Sequence, residues 1–195
     1  MKKILFFVQL ICANAFSLNY FTTDDAALTK NHVGVQSLLR QNADVIEIPS
    51  VRRTEMGQIG YNTRIFDNEY RGLSKLKYVE FPDTVKALGE SAFRDCDLHI
   101  VLLNKVDKIG YRCFSGNHML ELVVMPTCPN VDSMCFAECG DYSDNGLTIV
   151  CQEPTSVKSI QYKFGNWNCQ VMDFFEAVNC GLDSTYGVDL RKYIW

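Results

Sequence analysis

The segments LHIVLLN (residues 98–104) and IGYRCF (residues 109–114) decide the fold, because similar segments lie on both sides of them. The matching pairs are LKYVEFP (76–82) with LGESAF (88–93), and LELVVMP (120–126) with VDSMCF (131–136). Their leading leucines stand at positions 76, 98 and 120, which are 22 residues apart. A unit of this length cannot bury its own apolar side and must stack on its neighbours. The sequence therefore predicts a solenoid with few coils.

Each unit contributes one aromatic residue at the same position. Phe93, Phe114 and Phe136 occupy this column at intervals of 21 and 22 residues. Neighbouring coils of a parallel ladder lie about 4.8 Å apart, so residues of one column face each other. We expect the three rings to stack into a buried structural spine. Gly89 and Gly110 precede two of these rings at a bend of the chain, where glycine tolerates conformations that other residues do not.

The pattern of these units resembles the BspA-type leucine-rich repeat, which runs roughly L-x-x-I-x-I-P-x-x-V-x-x-I-G-x-x-A-F-x-x-C. The matching residues of the first complete unit are Leu76, Val79, Phe81, Pro82, Val85, Leu88, Gly89, Ala92, Phe93 and Cys96. The resemblance implies an α/β-type repeat solenoid, a right-handed coil with a short parallel β-sheet that is capped at both ends. It also implies a secreted or surface protein of a microbe, with adhesion to host or matrix proteins as a frequent role.

Four segments follow along the chain. Residues 1–15 are predicted to be a signal peptide, because Lys2 and Lys3 precede a short apolar run and Ala13-Asn14-Ala15 supplies a cleavage site. Cleavage after Ser17 is the second choice. Residues 16–44 are expected to form an N-terminal cap, residues 45–154 the repeats, and residues 155–195 a C-terminal cap. The predicted location is secreted or on the extracellular surface, with no transmembrane span and no visible anchor.

The first coil is irregular. Residues 46–49 (IEIP) match residues 79–82 (VEFP), and Ile59-Gly60 and Phe66 follow as Leu88-Gly89 and Phe93 do, with insertions between them. This alignment predicts that Phe66 belongs to the aromatic column.

Charge and motifs favour binding over catalysis. The chain has 19 basic and 23 acidic residues, a net charge of −4, which argues against a nucleic-acid partner and against polybasic attachment to membranes. There is no C-x-x-C pair, phosphate loop or H-E-x-x-H motif. His99 and His118 start neighbouring strands and could lie close together, but the histidines are otherwise scattered. We expect no catalysis, no metal and no cofactor.

The cysteines divide into two groups. Of nine, Cys12 leaves with the signal peptide. Five of the others fall in columns of the repeat and are expected to behave as small buried apolar residues: Cys96, Cys113, Cys128, Cys135 and Cys139. Cys113 and Cys135 are one coil apart and could just reach each other. Cys169 and Cys180 lie outside the repeat and are the better candidates for a disulfide.

The strand residues that face away from the core are also apolar. They are Tyr78, Ile100 and Leu122 in one ladder and Glu80, Leu102 and Val124 in the next. A sheet face open to water is usually polar, so this face should be covered. Two covers are possible: the aromatic tail from Tyr162 to Trp195, or a protein partner. In the second case the six residues form a partner-binding site, on an adhesion module or on a structural subunit whose sheet face packs in a homo- or hetero-assembly.

Overall fold

The computed structural model describes residues 20–22, 45–48, 50–53 and 59–194. The predicted signal peptide lies outside these residues, as does most of the predicted N-terminal cap. No helix among the described residues combines the length and the apolar character needed to cross a membrane.

The described residues form thirteen short strands in chain order. They are β1 Tyr20–Thr22, β2 Val45–Glu47, β3 Val51–Arg53, β4 Ile59–Tyr61, β5 Arg64–Ile65, β6 Tyr78–Glu80, β7 Ala87–Leu88, β8 Ile100–Leu102, β9 Lys108–Ile109, β10 Leu122–Met125, β11 Asn130–Val131, β12 Thr148–Cys151 and β13 Gln170–Asp173. Seven of them form one parallel sheet in the order β1-β2-β6-β8-β10-β12-β13. The predicted register is confirmed, because Val101 pairs with Val79 on one side and with Val123 on the other.

A second parallel sheet completes each coil. It has four two-residue strands in the order β11-β9-β7-β5. The second residue of each strand is buried, whereas the first is exposed or half-buried. The core lies between the two sheets. The chain is therefore a solenoid, as the repeat period predicts.

The aromatic column runs through this core as a stack of five rings. Phe114 lies 5.6 Å from Phe93 and 5.5 Å from Phe136 between ring centroids, with interplanar angles of 16° and 7°. Tyr70 extends the stack at one end, 4.9 Å from Phe93, and Phe164 meets Phe136 edge-on at the other. All five side chains are buried. The spine thus contains the three rings expected from the repeat and one more at each end.

The alignment of the first coil was wrong by four residues at the aromatic position and by six at the apolar position before it. Phe66 is 42% exposed and Tyr70 takes the spine position. Ile65 pairs with Leu88, and Tyr70 follows Ile65 by five residues as Phe93 follows Leu88. The segment Ile59-Gly60 instead belongs to β4, which forms an antiparallel hairpin with β3.

The coils continue beyond residue 154, where the C-terminal cap was predicted to begin. After β12 the chain forms helix α1 (Pro154–Ile160) and a 3-10 turn (Gln161–Lys163) before Phe164 joins the spine. The strand β13 then pairs with β12 in register. The inserted helix lengthens the interval between Phe136 and Phe164 to 28 residues, which hides this coil from a search for a 22-residue period.

Gly89 and Gly110 are required by close packing rather than by backbone conformation. Neither has a positive φ. A Cβ atom on Gly110 would lie 2.8 Å from the carbonyl carbon of Gly89, and one on Gly89 would lie 2.6 Å from the backbone nitrogen of Asp67. Both distances are shorter than real contacts of a Cβ atom. The coils therefore touch through their backbones at this column.

A buried asparagine replaces cysteine in the third unit. The Sγ of Cys96 donates to the carbonyl of Tyr70, and that of Cys139 donates to the carbonyl of Phe114. At the equivalent position, Asn117 donates to the carbonyls of Phe93 and Phe114 and accepts from the Leu98 amide. Each residue of this column therefore ties its coil to the preceding one through a backbone carbonyl.

Candidate interaction surfaces

The six residues of the predicted partner site lie together on the outer face of the seven-stranded sheet, the face turned away from the spine. The ladder pairs join Tyr78 to Ile100 and Ile100 to Leu122, and likewise Glu80 to Leu102 and Leu102 to Val124. Glu80 is half-buried, and the other five side chains are at most 7% exposed. The face is therefore covered within the chain itself.

The cover is the C-terminal segment, residues 173–194. It contains helix α2 (Phe174–Asn179), helix α3 (Leu182–Tyr186) and a 3-10 turn (Leu190–Tyr193). Its buried side chains pack with the outer face in one apolar cluster, and they are Phe174, Ala177, Val188 and Leu190. Of the two covers that the sequence allowed, the structure contains the tail. A partner can reach the five buried residues only if this segment moves away.

Polar contacts fasten the end of the segment to the rim of the face. Tyr193 donates from its hydroxyl to Asn104 Oδ1 at 2.6 Å, and Asn104 Nδ2 donates to Glu80 at 3.3 Å. Glu80 also accepts from the Tyr78 hydroxyl at 3.1 Å and pairs with Lys192 at 3.5 Å. Burial disfavours the charged ammonium of Lys192, but its contacts with Tyr193 and Glu80 outweigh that effect and raise its pKa. Glu80, the polar exception on the face, thus serves as an anchor for the tail.

The opposite rim, where the strands begin, carries a second polar group. Burial and the neighbouring Glu121 raise the pKa of Tyr186 to about 12. Ser143 donates to Glu121 at 2.8 Å.

The two histidines near the strand starts have different surroundings. Burial, followed by the charge of Lys77, lowers the pKa of His99. His118 stacks on Tyr142 with 4.5 Å between ring centroids. Within the described part of the chain, no group of three or more His, Cys, Asp or Glu side chains is placed to hold a metal ion.

A groove of about 270 Å³ lies on the other side of the solenoid, along the glycine column. Its floor is Gly89 and Gly110, which are both buried. One wall consists of the first residues of β5, β7 and β9. The other wall consists of the residue that comes directly after the glycine position in each of these coils. These walls are Arg64, Ala87 and Lys108 on one side, and Asp67, Glu90 and Tyr111 on the other, with Asp132 at one end. At the bottom of the groove the backbones of adjacent coils touch.

The charges of this groove are mostly unpaired. Arg64 forms an exposed ion pair with Asp67 at 3.7 Å. Glu90, Lys108 and Asp132 form no ion pair with any residue that the structure describes. A basic and an acidic wall therefore face each other across a floor of glycine backbone.

The comparisons with known proteins identify the repeat. The pattern of the BspA type leucine rich repeat region matches residues 60–163 in six copies. The chain belongs to the BspA-type leucine-rich repeat family. The crystal structure of a leucine-rich repeat protein from Bacteroides ovatus is similar, with a TM-score of 0.53 and 20% identity over 68% of this chain. That likeness shows the fold alone.

The match covers 36% of the Bacteroides ovatus protein, so this chain corresponds to about a third of its length. No curated protein matches the chain. The family and the fold are therefore established, and the activity of any longer relative is not transferred to this chain.

In this BspA-type solenoid all eight cysteines of the described residues are free thiols. The predicted Cys169–Cys180 disulfide is not formed, since Cys169 is buried in the core cluster and Cys180 is exposed after α2. Cys128 is exposed rather than buried, because the neighbouring Pro129 is buried instead. Burial raises the pKa of Cys96 to about 12. Since the thiolate is the reactive form, the buried cysteines are structural.

The sequence contained part of the signal for the groove. Gly89 and Gly110 stand in one column, and their close packing explains the floor. The charged walls were missed. Glu90, Lys108 and Asp132 lie in regular coils but carry no motif, and Arg64 and Asp67 join them only when the register of the first coil is known.

Proposed function

We propose that this chain is a secreted or surface-associated protein-binding module that acts in adhesion and has no catalytic role. The proposal rests on which surfaces of the chain are covered and which are open. The core and the outer sheet face are both covered by the chain's own residues, whereas a charged groove across the coils remains open. Membership of a repeat family supports binding, because stacked repeats offer extended surfaces to partners.

Binding is tested directly with immobilised proteins. The chain from residue 16 onward is passed over a panel of extracellular-matrix and surface proteins in a surface plasmon resonance experiment. The expected result is saturable binding to at least one of them, with a dissociation constant in the micromolar range or tighter. If the chain binds every panel protein no better than it binds immobilised serum albumin, the proposal is contradicted.

The alternative proposed from the sequence, a subunit that assembles through its sheet face, has less support. That face is buried under the C-terminal segment, so it does not offer an apolar surface to another subunit. Light scattering after size-exclusion chromatography separates the two functions. A binding module is expected at the mass of one chain, whereas an obligate subunit would elute as an assembly at every concentration tested.

Secretion rests on residues 1–15. We expect exported protein to begin at Phe16, or within a few residues of it if cleavage follows Ser17. N-terminal sequencing of material from the culture medium measures this. Protein that begins at Met1 and stays in the cell's soluble interior would contradict export.

A further inference from the structure

We propose that the groove along the glycine column binds an extended segment of a partner protein in which basic and acidic side chains alternate. This inference rests on the proposed function, because it names the place and the chemistry of the binding. Three features of the groove support it: its length, its floor and the positions of its unpaired charges.

The length of the groove suits a short extended chain. It crosses from Asp67 in the first coil through Glu90 and Tyr111 to Asp132 in the fourth. Three steps of about 4.8 Å between neighbouring strands give a length of about 14 Å. An extended chain rises about 3.4 Å per residue, so about four residues fit. A folded domain is too large to enter.

The floor of the groove is formed where the backbones of adjacent coils touch. Gly89 and Gly110 carry no side chains, and substitutions there would collide with the adjacent coil. The Asp67 carboxylate lies beside Gly89 and accepts a hydrogen bond from the Glu90 amide at 2.9 Å, so this side chain forms part of the floor at that end. Arg64, Ala87 and Lys108 are neighbours in one ladder and form the basic wall. The short side chain of Ala87 leaves the middle of this wall low.

The charges select the sequence of the partner. Lys108 stands on one wall, Glu90 stands on the other, and Asp132 lies at the end. None of the three has an ion pair among the described residues. Side chains of an extended chain point alternately to opposite sides. A segment with basic residues at alternate positions directs them towards Glu90 and Asp132, and the acidic residue between them then faces Lys108.

The probe is a fluorescent Gly-Lys-Glu-Lys-Gly peptide, and Gly-Lys-Lys-Glu-Gly is its control. The two have the same composition and net charge, but only the first alternates. Fluorescence anisotropy at low ionic strength is expected to show saturable binding of the alternating peptide, about tenfold tighter than the control. In NMR spectra, the amide signals of Gly89 and Gly110 should shift on titration.

Variants locate the binding in the groove. Glu90→Gln and Asp132→Asn are each expected to weaken binding by about fivefold, the upper range for one exposed ion pair. Ala87→Phe should abolish binding by filling the groove, whereas Ala87→Ser should preserve it. Asp144→Asn removes one exposed charge far from the groove and is the matched control, with no effect expected. Circular dichroism melting verifies that each variant is folded.

Equal binding of the two peptides, or binding that survives Ala87→Phe in a folded protein, would overturn the groove proposal. So would the absence of any binding by the native chain. These outcomes are distinct from failure of the proposed function, because the panel of immobilised proteins tests binding anywhere on the chain. A native chain that binds a panel protein but neither peptide would retain the function and lose the groove as its site.

Discussion

The two faces of the seven-stranded sheet have nearly the same composition but different partners. On the inner face Val79, Val101 and Val123 belong to the core cluster that contains the aromatic spine. On the outer face Leu102 and Val124 pack with the C-terminal segment. The spine comes from the repeat itself, so every coil brings its own share of the inner packing. The outer cover comes from a single segment without a repeat.

The inner packing of the solenoid is shared among the coils, whereas the outer cover is not. If one coil is damaged on the inner side, the neighbouring coils still contribute their rings to the stack. The outer face depends on four buried residues of the C-terminal segment and on the rim contacts of Lys192 and Tyr193. Four experiments examine this contrast.

The largest effect is expected from charges placed on the outer face. Leu102→Lys combined with Val124→Lys would bury two unpaired ammonium groups, and we expect a loss of more than about 4 kcal/mol in the free energy of unfolding. Urea denaturation followed by circular dichroism measures it. Leu102→Met, which conserves volume, should cost less than about 1.5 kcal/mol. An unchanged melting temperature of the double variant would mean that the C-terminal segment leaves this face open in solution.

A spine ring should contribute almost as much. Phe114→Ala removes a fully buried ring from between Phe93 and Phe136, and large core truncations cost about 3–5 kcal/mol. Phe175→Ala is the matched control, because Phe175 is 65% exposed and its removal should change the stability by less than about 0.5 kcal/mol. If the two variants unfold at the same urea concentration, the spine is not the centre of the core.

The rim contact of the tail should have a smaller and local effect. Tyr193→Phe removes the hydrogen bond to Asn104 and should cost about 1 kcal/mol. Hydrogen exchange is expected to speed up in residues 182–194 and to stay unchanged in the inner strands. Tyr162→Phe, at a side chain that is 66% exposed, is the control. Faster exchange throughout the sheet would show that the two faces open together.

The smallest effect concerns pH. Burial and the charge of Lys77 lower the pKa of His99 below 6.5, while Asp97 and Glu121 act in the opposite sense. The unfolded chain therefore binds the proton more readily, so stability should fall as the pH drops below about 6.5 and recover above it. His99→Gln should flatten the dependence between about pH 5 and 7. A slope that survives His99→Gln belongs to another group.

The repeat could be predicted from sequence wherever its spacing is regular. Phe93, Phe114 and Phe136 occur at the repeat interval, and their stacking follows from the parallel ladder. Phe164 escaped prediction because the helix α1 lengthens its interval from Phe136. Tyr70 stands 23 residues before Phe93, close to the period, but the first coil was aligned on Ile59-Gly60 and Phe66 instead. The cover of the outer face was open to two interpretations, since apolar strand residues require a cover without specifying which one.

The amino-acid sequence by itself determined the family, the parallel register of the coils and the buried aromatic column. These follow from local periodicity, because residues one period apart must become neighbours when identical units stack. Three features emerge only from the folded chain: the C-terminal segment closes the outer face, Glu80 anchors it, and opposite charges line a groove over the glycine column. Those contacts join residues with no fixed spacing, such as Glu80 with Lys192, and their pairing depends on how the whole chain folds back on itself.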